Sequence, residues 1–190
     1  MFPIKNQYYL FIENTTNIDF HFIKIKRKFT IIYRNNKNVE NIQKLKKFKN
    51  KCKLKGIAFF IANDIKLLTK INADGLYISA HNKSLRVRRS LNKAFKIIGS
   101  AHNFKEIIQK KNQKCETIIL SRLFATNYKG KKGFLGIVKF NIISNFYKNI
   151  LVPLGGIKSK NINRLKLVNS NAFCLLSEIK KKPAITSRLF

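Results

Sequence analysis

Gly56 to Ser79 reads GIAFFIANDIKLLTKINADGLYIS, two apolar runs joined by a segment with helical spacing. The runs, 56–62 and 75–79, are continuously apolar. Strands buried on both faces of a parallel sheet have that pattern. Between them Ile65, Leu68 and Ile71 recur three residues apart with lysines interspersed, which marks one apolar face of a helix. Strand, helix and strand in this order predict a parallel α/β unit.

The same alternation extends in both directions. Apolar runs recur as YYLFIE (8–13), FTIIY (29–33), KIIGSA (96–101), TIILSRLF (117–124), ILVPLGG (150–156) and AFCLLS (172–177), which brings the number to eight. Val39, Ile42, Leu45, Phe48 and Cys52 fall on one helical face, as do Phe104, Ile107 and Ile108. Asn103 with Glu106 three residues on reads as an N-terminal cap with its return partner. Ile162, Leu165 and Val168 predict a further helix, capped by Ser159 or Asn161. The segment after the first run has room for a short helix only, and Pro183 breaks the segment after the last. Eight strands alternating with helices predict a (β/α)8 TIM barrel, short for its class and with a trimmed final helix, as a single domain over residues 1–190. An open doubly wound sheet is the alternative.

Composition narrows the function. Of 190 residues, 45% are hydrophobic, which suits a packed core and excludes a disordered chain. No apolar run is long enough to span a bilayer and the first residues lack a signal-peptide pattern, so a cytoplasmic protein without a membrane partner is expected. Cys52, Cys115 and Cys174 are far apart and form no CxxC pair, which predicts ordinary thiols. Lys and Arg number 40 against 8 Asp and Glu, a formal charge of +32. These cations are spread along the chain, and no RNA- or DNA-binding motif or basic stripe accompanies them. The charge predicts small phosphorylated ligands, with no specific nucleic acid, and leaves a homo-oligomer open.

In a barrel the site lies at the C-terminal strand ends. Reading those ends from the second run onward gives Arg34 and Lys37, Asn63 and Asp64, His81 and Asn82, Ser100, His102 and Asn103, Thr126 and Lys129, Gly155 and Gly156, and Ser177. Asp64 is the single carboxylate of this set, so neither a carboxylate pair nor a Ser-His-Asp order is present. Basic, hydroxyl and glycine groups suit phosphate instead. Arg34 is a fork donor and Lys129 a point charge. Asp64 is the one group suited to Mg²⁺. The paired glycines end a strand where a loop often cradles phosphate.

These ends resemble thiamine phosphate synthase and its sister group, the TenI-type thiazole tautomerases. IANDIKLLTKINADGLYIS (61–79) is similar to the family's Asn-Asp stretch followed by Ala-Asp-Gly-Val-His. IIGSAHN (97–103) is similar to its Ser-x-His segment, and LFATNYKGKKGFLG (123–136) to its Pro-Thr-x-Thr/Ser-Lys loop. LGGI (154–157) and LLSEI (175–179) are similar to its Gly-Gly-Ile turn and terminal Val-Ser. The resemblance implies a barrel transferase that joins an aminopyrimidine diphosphate to a thiazole phosphate with Mg²⁺, releasing diphosphate. It implies Arg34 and Lys129 at the diphosphate, with Ser100 and Asn63 at the pyrimidine. Thr126, Gly155, Gly156 and Ser177 then hold the thiazole phosphate, and Asp64 and Asn82 the metal. His102 is a further substrate contact and, in a metal-independent tautomerase, the group that moves the proton. A barrel that binds phosphate without catalysis is the remaining reading. The family's Gln-x-Arg-x-Lys is Ile32, Arg34, Asn36 here, and its second metal carboxylate is the amide of Asn82, which lowers the expected metal affinity.

Overall fold

The computed structural model describes residues 5–20, 28–35, 40–91, 94–126, 133–147 and 150–175. Eight strands form: β1 (Gln7–Ile12), β2 (Phe29–Tyr33), β3 (Ala58–Ala62), β4 (Gly75–Ile78), β5 (Lys96–Ala101), β6 (Thr117–Ser121), β7 (Leu151–Leu154) and β8 (Ala172–Leu175). They pair in parallel in chain order, and β8 closes on β1, with Tyr9 level with Cys174. The expected (β/α)8 TIM barrel is therefore the fold, and an open sheet is excluded.

Period-two alternation divides the strands' side chains between two cores. Tyr9, Phe11, Ile32, Phe60, Tyr77, Ile98, Ile119, Val152 and Cys174 fill the barrel interior. Their neighbours, among them Leu10, Ile31, Phe59, Leu76, Ile97 and Ile118, face outward into the layer beneath the helices. Phe60 fits inside because Gly75 on the next strand has no side chain. A Cβ there would lie 2.3 Å from the Phe60 ring and 2.4 Å from the Lys96 carbonyl.

Four α-helices cover the barrel among the described residues: α1 (Ile42–Leu54), α2 (Ile65–Ile71), α3 (Phe104–Asn112) and α4 (Gly136–Phe146). In α1 the expected face is buried at Leu45, Phe48 and Cys52. In α3 only Ile107 of the expected three is buried, while Phe104 and Ile108 are 51% and 44% exposed. The α4 segment, GIVKFNIISNF, is apolar on both faces, so no single stripe marks it in the sequence.

The helix expected over 162–168 is instead a 3₁₀ helix, Ile162–Leu167, and Asn161 makes no side-chain cap to it. Ile162 and Leu165 within it and Val168 just after it are buried and recur every three residues. That is the 3₁₀ repeat. Short 3₁₀ turns also follow β1, at Thr15–Asn17, and β4, at Leu85–Arg88. The expected trimmed final helix lies outside the described residues.

Under the loop after β4 runs a buried lysine. Lys110 of α3 is 0% exposed, and its Nζ donates to the carbonyls of Ser79 (2.8 Å) and Asn82 (2.7 Å) and to Gln113 Oε1 (2.8 Å). Its stem crosses β5 at Gly99, where a Cβ would lie 2.9 Å from Lys110 Cδ. Lys110→Met removes the donor from three acceptors, of which Gln113 is buried and the Ser79 and Asn82 carbonyls part-buried, an expected loss of about 1–3 kcal/mol, read by denaturant unfolding. Burial pushes the ammonium below its ordinary 10.5. The unfolded chain therefore holds this proton more tightly than the folded chain, and the burial penalty is relieved as pH rises through the folded value towards 10.5. The advantage of wild type over Lys110→Met is expected to grow from neutral pH towards that limit.

Candidate active site at the C-terminal mouth

Strand geometry carries the interior rows upward into the loops. Two residues beyond inward-facing Ile32, Tyr77, Ile98 and Ile119 come Arg34, Ser79, Ser100 and Ser121, so the apolar interior gives way to polar groups at the C-terminal mouth. A cavity of about 310 Å³ opens there. Phe11, Tyr77, Leu154 and Cys174 line its deeper part, and the polar groups line its rim. This volume lies within the range of small-molecule sites.

Seven of the strand-end residues line this cavity: Arg34, His81, Ser100, His102, Thr126, Gly155 and Gly156. Asn63, Asp64 and Asn82 do not. Lys37, Lys129 and Ser177 lie outside the described residues.

Each of the three off the wall has a structural task. Asn63, at φ 57°, accepts the Ser79 N–H at 3.0 Å and ties the ends of β3 and β4 together. Asp64 is the N-cap of α2, its Oδ1 accepting from Leu67 N at 2.8 Å. Asn82 Oδ1 accepts from Ser84 N at 3.1 Å. A Mg²⁺ site needs one or two free carboxylates beside the substrate phosphates. Asp64 is tied to its helix, Asn82 offers a neutral oxygen already in use, and no described Asp or Glu lines the cavity. Among the described residues no group of three or more His, Cys, Asp or Glu is placed to hold a metal ion. The residues present do not fit the expected Mg²⁺.

The cavity wall also contains residues that the strand-end reading passed over. Arg122 follows β6, inside a run that reads as strand, SRLF. Its Nη1 donates to Thr126 Oγ1 and its Nη2 to the Gly133 carbonyl, both at 2.7 Å. The guanidinium is thus fixed between the two ends of the β6–α4 loop. Ser121 Oγ lies 2.8 Å from His102 Nδ1. The His102 backbone is pinned in turn, because its N–H donates to Glu106 Oε2 at 2.7 Å while Asn103 Oδ1 accepts from Glu106 N at 2.9 Å. The expected cap forms, with its return bond shifted one residue back, onto His102.

Tyr77 and Ser100 both line the cavity. Burial pushes the Tyr77 phenol up, while Ser100 and the nearby Arg34 charge pull the other way. The net shift is upward, so Tyr77 is a protonated donor at neutral pH. Burial pushes the Cys174 thiol well above its ordinary value, which rules it out as a thiolate nucleophile there.

The two glycines have a specific task. Gly155 and Gly156 have φ of 96° and 69°, left-handed conformations that other residues enter at a cost. A Cβ on Gly156 would lie 2.5 Å from the carbonyl oxygens of both Phe124 and Ala125. The loops after β6 and β7 are zipped together here, with Leu123 N donating to Leu154 O at 2.9 Å and Phe124 N to Gly155 O at 3.0 Å.

The family model described as thiamine monophosphate synthase matches residues 16–179. The thiamine-phosphate synthase of Prochlorococcus marinus (strain AS9601) is 31% identical over 144 residues, covering 74% of this chain and 40% of that protein. That of Clostridium acetobutylicum is 28% identical over 141 residues, covering 74% of this chain and 65% of that protein. The chain thus spans 40% to 65% of the length of these relatives. Among solved structures, the thiamine phosphate pyrophosphorylase of Pyrococcus furiosus superposes with a TM-score of 0.75 at 15% identity, covering 98% of this chain and 95% of that one, a likeness of fold.

Proposed function

The chain belongs to the thiamine monophosphate synthase family, and from that premise we propose that it joins an aminopyrimidine diphosphate to a thiazole phosphate and releases diphosphate. The observation that carries the proposal is the cavity itself. Its described wall brings together Arg34, Arg122, Thr126 and the paired glycines, contains no carboxylate, and has Phe11 and Tyr77 in its depth. Such a wall favours phosphate anions and a flat aromatic ring.

In the proposed reaction the bond from the pyrimidine methylene to the diphosphate oxygen breaks, and its electron pair leaves with the diphosphate. The lone pair of the thiazole nitrogen then forms the new C–N bond. Arg34 meets the charge that grows on the leaving group, where a fixed donor is worth most. Lys129 joins it in this reading. Phe11 and Tyr77 offer π faces to the transient methylene cation. Ser100 and the protonated Tyr77 position the pyrimidine, with Asn63 holding the edge of that subsite. Thr126, Gly155, Gly156 and Ser177 take the thiazole phosphate, and His102 contacts the bound substrates.

The test is direct. The purified chain is mixed with both substrates, with and without Mg²⁺, and thiamine phosphate is measured. Product formation in either condition is the expected result. Absence of product in both, from folded protein, overturns the proposal.

A further inference from the structure

We infer that this chain neutralises its anionic substrates with fixed side-chain cations instead of a bound divalent cation, so that diphosphate binding and turnover proceed without added metal. The inference rests on the transferase reading above.

Three observations carry it. First, Arg34, His81, His102 and Arg122 stand on the described wall of the cavity, and no Asp or Glu does. A divalent cation entering this wall meets the charges of Arg34 and Arg122 with no described carboxylate to offset them, in a chain of formal charge +32. Second, the two groups expected to ligate it stand off the cavity wall, and each has an oxygen engaged elsewhere. Asp64 caps α2 and Asn82 holds its own turn. Glu13, at the end of β1, is exposed and off the wall. Third, the arginines are well distributed. Arg34 follows β2 and Arg122 follows β6, four strands apart in a closed ring of eight, so they face each other across the mouth. Arg122 packs against Gly155, within 3.1 Å of where a Cβ would stand, on the side assigned to the thiazole phosphate. Arg34 is left for the diphosphate. Each anion has its own cation, and arginine stays charged at any working pH. Arg122 is already held by Thr126 and Gly133, so its charge needs little reorganisation when substrate binds.

The test titrates inorganic diphosphate and, separately, inorganic phosphate into the full chain by calorimetry, in EDTA and in excess Mg²⁺. It is paired with thiamine phosphate formation in the same two buffers. The expected result is diphosphate affinity that differs by less than about twofold between buffers, and turnover that persists in EDTA. Arg34→Met is expected to weaken diphosphate binding by about tenfold to a hundredfold, and Arg122→Met to weaken phosphate binding similarly. Arg122→Lys, which keeps the charge, is expected to recover part of that loss and guards against simple loss of the loop. Turnover or diphosphate binding that appears only with Mg²⁺ overturns the inference and leaves the transferase reading standing. Anion binding unchanged in both Met variants places the anions on the lysine-rich surface and overturns the inference as well. Absence of product in both buffers removes the transferase reading and the inference with it.

Discussion

Arg34→Met is expected to lower kcat/KM for thiamine phosphate formation by about 10²- to 10³-fold, the effect of removing one donor from a developing anion. The fold has little stake in this side chain. Arg34 is half-buried at the rim, its backbone N–H is bonded to Ile12 O at 2.8 Å, and a Met side chain leaves that bond intact. The unfolding temperature is therefore expected to stay close to wild type. The loss is expected mainly in kcat. The diphosphate gains charge as its C–O bond breaks, so the arginine interacts more strongly with the transition state than with the bound substrate. Arg34→Lys keeps a charge but loses the planar fork, so partial recovery is expected. A rise in KM with kcat unchanged reduces Arg34 to ground-state binding. Unchanged activity removes it from the diphosphate site.

The strands were legible because each is buried on both faces, which writes a continuous apolar run into the sequence. FTIIY, buried at all five positions, is the clearest case. The helices were less so. Each buries only part of one face, and α4 carries Val138, Ile142 and Phe146 exposed alongside buried Phe140, which blurs its period. The turn at Ile162–Leu167 shows a limit of spacing arguments, since a repeat of three serves a 3₁₀ helix and an α-helix equally well over two turns.

For the site, strand ends located Arg34, His81, Ser100, His102, Thr126, Gly155 and Gly156 on one cavity. Asp64 looked like a ligand by residue type, but an Asp three residues before a helix N–H is also a cap, and only coordinates show which oxygen is engaged. Arg122 was hidden for the opposite reason. It lies next to Leu123 and Phe124 in an apolar run and is one of 40 basic residues. The alternation that made the barrel readable could have found its neighbour. Ser79, Ser100 and Ser121 stand two residues beyond inward-facing Tyr77, Ile98 and Ile119 on three successive strands, a hydroxyl row at the top of the interior.

Gly156→Ala is expected to cost about 2–5 kcal/mol of stability and most of the activity together. Two causes add. An alanine at φ 69° pays about 1–2 kcal/mol for the left-handed conformation. Its methyl would also sit 2.5 Å from the carbonyl oxygens of Phe124 and Ala125, and overpacking of this kind costs about 1–3 kcal/mol. Both oxygens are backbone, so no rotamer change relieves the contact, and one loop must move off the other. The β6–α4 loop carries Arg122 and Thr126, so the movement displaces the cation and hydroxyl that face the thiazole phosphate. The adjacent Gly155→Ala meets Arg122 carbons at 3.1 Å instead. These contacts are longer than the 2.5 Å met at Gly156, so Gly155→Ala is expected to destabilise less while still disturbing phosphate binding. Denaturant unfolding and phosphate titration on both variants check this order. Equal stability losses would show that the left-handed conformation alone, common to both glycines, sets the cost and that the loop contact at Gly156 contributes nothing.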